Sequence, residues 1–267
     1  MFIADTHTHT KYSFDGKTDV NGMIHSALEH GVAVLALTEH CDFGWQGYDP
    51  YYARGEAACQ KEMTEQKTKE TRLKLLYGVE LGQPQRSPEK AKALLAAHPY
   101  DIVLGSVHEL SDGRDIYSID YTDYAVCEAC FLRYFDDLED LLAFGDFDVF
   151  AHLDYPLRVM QGAFPEPSLR RYRERIAELM RKLAKTDCAL EVNAKGCREW
   201  IGQPGPEQWV LELYRDFGGK LIAAGSDAHF PKDCGSGLRE SYRLIARAGF
   251  SQIVTFEKRK PVFHPIG

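Results

Sequence analysis

The sequence lacks the features that mark several broad protein classes. It has no basic excess, since 32 Lys and Arg stand against 40 Asp and Glu, for a formal net charge of -8. Because phosphate backbones are bound by clustered Lys and Arg, this balance argues against a nucleic-acid polymer as partner. No stretch approaches the roughly 18 apolar residues of a membrane span, and no basic segment followed by an apolar one opens the chain. We therefore expect a soluble, cytoplasmic protein without a membrane partner.

The sequence also lacks a disulfide framework and a paired-cysteine metal motif. Seven cysteines are scattered along 267 residues, an odd number that fits a reducing compartment. Cys127 and Cys130 form a single CxxC within a predicted helix at 124–134, and no second CxxC accompanies it. We interpret this pair as two buried thiols rather than as a zinc or redox site.

What the sequence does contain is a repeated pattern of an apolar run, a polar segment and a segment with helix signals. Seven apolar runs occur, at 2–4, 32–37, 73–79, 102–107, 147–151, 188–192 and 221–224. Asp19 precedes a helix-like segment that stops at Gly31, and Ser87 with Pro88 opens another. Strands that alternate with helices predict a parallel sheet. With 44% hydrophobic residues the chain can bury a large core, so we expect residues 1–267 to form one α/β domain.

Histidines concentrate where these runs end. Six of the ten histidines lie at predicted strand ends: His7, His9, His40, His108, His152 and His229. Glu80 and Asp227 also follow apolar runs, and Asp15 lies in the polar segment after the first run. In a closed barrel the carboxyl ends of the strands converge on one mouth, where barrel enzymes place their active sites. This set offers more nitrogen and oxygen ligands than one catalytic metal accepts, so it predicts a polynuclear site for Zn, Mn or Fe.

The motifs at these strand ends resemble those of the polymerase and histidinol phosphatase (PHP) superfamily, in particular its histidinol-phosphate phosphatase branch. The resemblance rests on HTH at 7–9, SFDG at 13–16, TEH at 38–40, GVE at 78–80, GSVH at 105–108, AHLD at 151–154 and GSDAH at 225–229. It implies a distorted seven-stranded (β/α) barrel, similar to a TIM barrel, with a trinuclear metal centre at the C-terminal ends of the strands. The seven apolar runs agree with that expectation.

The resemblance also implies which residues bind each metal. To the first ion it assigns His7, His9, Glu80 and Asp227, and to the second Glu80, His108 and His152. To the third it assigns Asp15, His40 and His229. Some members carry His at the position of Asp15, which can alternatively be a turn residue before Gly16. A hydroxide that bridges the metals at the Glu80 and Asp227 site would attack phosphorus.

Two arginines extend the resemblance to the substrate. Arg158 and Arg198 follow the motifs at 152–156 and 191–197, on loops that we expect above the same mouth. In the phosphatases that the chain resembles, arginines after these motifs bind the substrate phosphate through the guanidinium fork. Lys195 is a third candidate for this role. A loop arginine is usually just solvated, so these assignments depend on the metal ligands beside them.

The implied activity is the hydrolysis of L-histidinol phosphate, a small phosphomonoester, to L-histidinol and phosphate in histidine biosynthesis. This substrate carries an amine and an imidazole, so carboxylates in the long loops at 41–72 and 109–123 are candidates for recognising it. We single out Asp42, Glu109 and Asp112. Solvated loop acids are an equally simple interpretation of each.

Three other functions remain open from the sequence. A related phosphoesterase acts on nucleotides or oligonucleotide ends, although the acidic charge counts against polymers. A metal-dependent C–N hydrolase of the amidohydrolase type also begins with HxH in a barrel. That class commonly depends on a carboxylated or bridging Lys, and no predicted strand ends in an obvious one. A catalytically silent metal-binding module is disfavoured by the full ligand set, and the oligomeric state is not predicted.

Overall fold

The computed structural model of the protein describes residues 2–44, 47–48 and 50–266. Its barrel strands are Ala4–Asp5 (β1), Val34–Gly44 (β2), Lys74–Gly82 (β4), Ile102–Ser106 (β5), Val149–Phe150 (β6), Ala189–Asn193 (β7) and Ile222–Gly225 (β8). A two-residue strand, Gly47–Tyr48 (β3), pairs antiparallel with the end of β2. The seven barrel strands are parallel and follow one another around the sheet in chain order. Each overlaps one predicted apolar run, which confirms the predicted (β/α) barrel.

Backbone hydrogen bonds between the first and last strands nearly close the barrel. The Asp227 amide donates to the His7 carbonyl oxygen at 2.8 Å, and Thr8 pairs with Ala228 in an isolated parallel bridge. These contacts place residues 7–9 beside residues 227–229 at the carboxyl ends of the strands. Closure therefore brings together polar segments that lie more than two hundred residues apart in sequence.

Helices follow most of the strands. They span Val20–Glu29 (α1), Pro50–Lys69 (α2), Pro88–Ala97 (α3), Tyr124–Phe144 (α4), Arg173–Leu183 (α5), Gln208–Asp216 (α6) and Leu238–Arg247 (α7). As predicted, Asp19 caps α1, because its carboxylate accepts a hydrogen bond from the Gly22 amide at 2.8 Å. Within the described ranges, none of these helices has the length and apolar content needed to cross a membrane.

The spacing of apolar side chains explains how the helices attach to the barrel. In α5, Ile176, Leu179, Met180 and Leu183 are buried, which places them on one face of the helix. The two cysteines of the CxxC motif lie in α4 and are buried in the same way. Cys127 and Cys130 are free and buried, as expected for thiols that contribute to a core.

The segment 41–72 was predicted to be a long loop, and this prediction was wrong. It contains the end of β2 and the whole of α2. Three residues of α2 that are buried, Tyr52, Cys59 and Met63, are spaced seven and four apart. This apolar stripe is too sparse for its helical period to stand out among the surrounding charged residues.

The C-terminal residues, for which the sequence predicted no element, form an antiparallel hairpin of Gln252–Glu257 (β9) and Lys260–Pro265 (β10). The hairpin packs against the amino-terminal ends of the barrel strands. Phe2, just before β1, stacks on His264 with ring centroids 4.3 Å apart, and Asp148, just before β6, pairs with Arg259 at 3.2 Å. The hairpin thus covers the end of the barrel opposite the mouth.

Candidate active site

A cavity of about 970 Å³ opens at the carboxyl ends of the strands. The predicted site residues on its wall are Asp15, His40, Asp42, Glu80, His108, Glu109, His152, Arg158, Lys195, Arg198, Asp227 and His229. His7 and His9 are fully buried behind this wall, against Glu80 and Asp227. The structure does not bring Asp112 to the cavity.

Glu80 stands at the centre of the histidine cluster. Strands β2 and β4 run beyond their apolar cores, and their register places His40 opposite Glu80. Glu80 Oε2 lies 2.9 Å from His40 Nδ1 and 3.2 Å from His7 Nε2. Glu80 Oε1 lies 2.8 Å from His152 Nε2 and 3.2 Å from His108 Nε2. One carboxylate thus contacts histidines that come from four different strands.

Asp227 is the second carboxylate of the cluster. Its Oδ1 lies 3.7 Å from His9 Nε2 and 3.5 Å from His229 Nδ1. Lys195 Nζ lies 3.4 Å from the same oxygen, while Arg158 Nη1 donates to Oδ2 at 2.7 Å. Asp227 has a φ of +52°, a left-handed conformation that non-glycine residues seldom adopt and that recurs at functional sites. The predicted metal-binding and phosphate-binding residues therefore meet at this side chain.

Asp15 reaches the cluster from the loop after β1. Its Oδ2 lies 3.0 Å from His229 Nε2, and its Oδ1 lies 3.6 Å from His40 Nε2. The same loop also makes the turn that the sequence allowed, because the Gly16 amide donates to the Ser13 carbonyl oxygen at 3.2 Å. The turn and the approach to the two histidines are thus compatible, and the turn presents the carboxylate to them.

Several buried atoms at the centre of the cluster make no hydrogen bond of normal geometry among the described residues, although some lie close together, such as Glu80 Oε2 and His40 Nδ1 at 2.9 Å. They are His7 Nε2, His9 Nε2, His40 Nδ1, Asp15 Oδ1 and Glu80 Oε2. Since buried polar atoms almost always have partners, such a concentration requires an explanation. Four overlapping groups of three cluster residues have ligand atoms within 4.8 Å of one another. The residues present therefore fit divalent metal ions, which would satisfy these atoms.

Carboxylates outside the cluster contact the outer ring nitrogens of the histidines. Glu191 Oε1 lies 2.7 Å from His7 Nδ1, and Asp42 Oδ1 lies 2.7 Å from His108 Nδ1. Such partners fix the tautomer and the orientation of a histidine, so that the other nitrogen is free to bind a metal. Gly82 permits the second contact, because a Cβ there would lie 1.8 Å from Asp42 Oδ1.

Glu191 is a site residue that was not predicted from the sequence. The sequence feature that could have indicated its role is the position of an acidic residue between Leu190 and Val192, inside an apolar run. A carboxylate at such a position is buried with the strand and must find a partner there. The structure shows that this partner is His7.

Burial and neighbouring charges shift the pKa values of the cluster residues in both directions. Burial lowers the pKa of His7 and His40, but neighbouring carboxylates, chiefly Glu191 for His7 and Glu80 for His40, raise both well above the ordinary value. Burial raises the pKa of Glu80, but the surrounding histidines outweigh it and hold this pKa well below its ordinary value. Burial lowers the pKa of His9 far below its usual range and that of His152 to about 4. Burial also disfavours the charged form of His108, but the Glu80 and Asp42 carboxylates raise its pKa to about 9. A metal ion would displace that proton on binding.

The three predicted phosphate-binding residues, Arg158, Arg198 and Lys195, line one part of the cavity. Arg158 is buried, and its Nε lies 4.0 Å from Glu199 Oε2. Arg198 Nη2 donates to the Ser226 carbonyl oxygen at 2.7 Å. Its Nη1 is buried and has no hydrogen-bond partner in the described part of the chain. Arg198 therefore presents a charged donor that a phosphate oxygen can accept from.

The acids predicted to recognise the substrate have other contacts in this structure. Asp42 is held by His108, and Glu109 lines the cavity but pairs with Arg86. Asp112 forms an ion pair with Arg114 at 2.7 Å on the loop between β5 and α4, away from the cavity wall. The sequence could not show these pairings, because each depends on which side chain the folded chain places beside the carboxylate.

Comparison with known proteins agrees with this geometry. A PHP domain profile matches residues 5–195. Histidinol-phosphatase of Lactococcus lactis subsp. lactis (strain IL1403) is 28% identical over 274 residues, which cover 96% of this chain and 95% of that protein. A probable histidinol-phosphatase of Thermotoga maritima is 24% identical over 259 residues, which cover 96% and 97%.

A solved structure extends the similarity to the fold. The crystal structure of histidinol phosphate phosphatase from Lactococcus lactis, complexed with zinc, L-histidinol and phosphate, matches with a TM-score of 0.78. The match has 25% sequence identity and covers 97% of this chain and 98% of that chain. The profile spans more than half of the chain and includes most of the strand-end motifs. The resemblance seen in the sequence is thereby confirmed, and the chain belongs to the PHP domain family.

Proposed function

We propose that this protein is a metal-dependent phosphomonoesterase that hydrolyses L-histidinol phosphate to L-histidinol and phosphate, a step of histidine biosynthesis. The observation that carries the proposal is the junction at Asp227, where a cluster of imidazoles and carboxylates meets Arg158 and Lys195. The relative whose structure holds zinc, L-histidinol and phosphate supports the choice of substrate. We infer that residues 1–267 act as one domain in the cytoplasm, where free cysteines remain reduced.

The cluster is proposed to hold two to three divalent ions. His7, His9, Glu80 and Asp227 would bind the first, Glu80, His108 and His152 the second, and Asp15, His40 and His229 the third. Imidazole and carboxylate donors fit Zn, Mn or Fe, and the zinc in the related structure favours zinc. In this structure His40 contacts both Glu80 and Asp15, so it lies between the second and third groups.

When bound, the ions supply positive charge that lowers the pKa of water to roughly 7 and offsets the charge of a phosphate. The protein itself binds and orients the substrate. Arg198 offers the unpaired Nη1, and Arg158 and Lys195 add two cations beside Asp227. A phosphate held by these three side chains lies directly next to the proposed metal ligands, which is where phosphorus must be for hydrolysis.

Phosphate release from a panel of substrates tests the proposal. The panel contains L-histidinol phosphate, mononucleotides, sugar phosphates and p-nitrophenyl phosphate, with enzyme reconstituted separately with Mn, Zn and Fe(II). We expect kcat/KM for L-histidinol phosphate to exceed the others by several orders of magnitude, and chelator-treated enzyme to be inactive. Comparable slow rates on every substrate would instead contradict the substrate assignment, while a preference for mononucleotides would identify a different phosphoesterase.

A further inference from the structure

Exposed aromatic rings gather at the mouth of the active-site cavity. Among the described residues, five large hydrophobic side chains are highly exposed, and three of these line the cavity wall: Phe14 at 59%, Tyr117 at 47% and Phe230 at 45%. Exposed apolar side chains usually occur singly, and a group of them around a cleft marks a binding surface. Neither the metal ligands nor the proposed phosphate-binding residues account for these rings.

Two of the rings lie on adjoining loops. Phe14 precedes Asp15 on the loop after β1, and Phe230 follows His229 on the loop after β8. The Lys17 amide donates to the His229 carbonyl oxygen at 3.0 Å, which ties the two loops together. Each ring is therefore next in sequence to a proposed ligand of the third metal, at the outer edge of the cluster.

The contacts of these rings leave room for a ligand. The Phe14 ring lies 5.5 Å from the ring of His40 on its inner side, and the side chain is nevertheless more than half exposed. The ammonium of Lys232 lies 5.8 Å from the centroid of the Phe230 ring. An aromatic face attracts such a cation, and the Phe230 side chain nevertheless remains 45% exposed, so part of the ring is open to a ligand.

We propose that Phe14 and Phe230 bind the planar ring of the substrate while the arginines bind its phosphate, an inference that rests on the proposed function. The cavity of about 970 Å³ is far larger than a phosphate group, so the rest of the substrate must contact other parts of the wall. The carboxylates of Asp42 and Glu109 are already paired with His108 and Arg86. An imidazole, neutral or protonated, gains stacking and cation–π energy from phenyl rings.

The test compares phosphoesters with and without a ring. One pair is L-histidinol phosphate and 2-aminopropyl phosphate, which keeps the ammonium and the phosphate but has no ring. The second pair is benzyl phosphate and ethyl phosphate. For each pair the ratio of the two kcat/KM values is measured, because a change in metal content affects both members alike and leaves the ratio unchanged.

We expect Phe14→Leu and Phe230→Leu each to lower the ratio about 10-fold, since leucine keeps the apolar volume but removes the aromatic face. Phe230→Trp should keep the ratio within about 2-fold of the wild-type value, because tryptophan also provides an aromatic face. Leu132→Ala changes a comparably exposed side chain on α4 that does not line the cavity, and serves as the control. Melting temperatures and metal content of all variants are compared with those of the wild type.

Two results would overturn the inference. One is a ratio that both leucine variants leave unchanged, even when the wild type strongly prefers L-histidinol phosphate. The proposed function would then hold, but the assignment of Phe14 and Phe230 to the ring would be wrong. The other is a wild type without preference for the ring in either pair. Conversely, a benzyl preference that the leucine variants lose would support the ring site even if L-histidinol phosphate proved a poor substrate.

Discussion

Glu191 Oε1 lies 2.7 Å from His7 Nδ1, and both side chains are completely buried. The other oxygen of Glu191 accepts a hydrogen bond from the backbone amide of His152 at 2.8 Å. Gly225 makes this packing possible, because a Cβ there would lie 2.3 Å from His7 Cβ and 2.9 Å from Glu191 Oε1. A single carboxylate thus positions two residues that we propose as metal ligands.

Glu191→Gln tests this positioning role. Glutamine keeps the shape of the side chain but loses the negative charge that orients His7 and strengthens it as a ligand. We expect metal affinity to fall about 10- to 100-fold, with loss of activity at limiting metal that excess metal restores. Competition with a chelator of known affinity measures the change. Glu178→Gln, which changes a half-exposed acid on α5, is the matched control, and equal affinities of the two variants would refute the role.

The two arginines can be separated from the metal ligands by mutation. Arg198→Ala and Arg158→Ala should retain the metal content of the wild type, whereas His7→Ala, Glu80→Ala and Asp227→Ala should lose metal and nearly all turnover. Removing a charge-assisted contact costs about 2 kcal/mol, which corresponds to about a 30-fold loss of kcat/KM. Arg198→Lys should lose less than Arg198→Ala, since lysine keeps the charge.

Steady-state kinetics, metal analysis and melting curves measure these arginine effects together. The melting curves exclude disruption of the fold, which matters for Arg158 because it is buried and holds Asp227. Wild-type kcat/KM in both alanine variants would contradict the assignment of Arg158 and Arg198 to phosphate binding.

Asp15 can be tested as a ligand of a third ion by counting metals. Asp15→Ala should bind one ion fewer per chain than the wild type, because only two of the three proposed ligands of that ion remain. His229→Ala should show the same loss. Asp112→Ala is the control, since this acid pairs with Arg114 outside the cavity and should change neither metal content nor substrate preference. Full metal content in Asp15→Ala would show that Asp15 is a turn residue alone.

A pH effect on stability is expected at the other end of the barrel. Burial raises the pKa of Asp148 to about 6 from an ordinary value of 3.8, even though Arg259 beside it acts in the opposite direction. The folded state therefore binds this proton more tightly than the unfolded chain, so the group favours folding at low pH. That contribution should be lost as the pH rises from about 4 to about 6.

Asp148→Asn removes this titration. The free energy of unfolding of the wild type, relative to that of the variant, should fall by about 2 kcal/mol between pH 4 and pH 6. Denaturant unfolding at a series of pH values measures the difference, and comparison with the variant cancels pH effects that the metal site causes in both proteins. Parallel curves would contradict the expected titration.

Periodicity predicted the parallel strands, the family resemblance implied that they form a barrel, and the strand-end residues predicted which side chains gather at its mouth. The apolar runs match the strands because a strand buried on both faces must be apolar along its whole length. Helix α2 and the C-terminal hairpin were missed for the opposite reason. The buried residues of α2 are few, and β10 is largely exposed, so neither segment has a strong hydrophobic period.

The sequence by itself determined which residues arrive at the mouth, because strand direction and the alternation of side chains place His7, His9 and Glu80 there in any parallel barrel. Only the tertiary structure decided which of them touch. The register and closure of strands distant in sequence decide whether Asp42 faces a substrate or His108. They also decide which side chain becomes the partner of the buried Glu191, here His7. Distances of a few ångströms between such strands arise from packing of the whole core, and no local pattern encodes them.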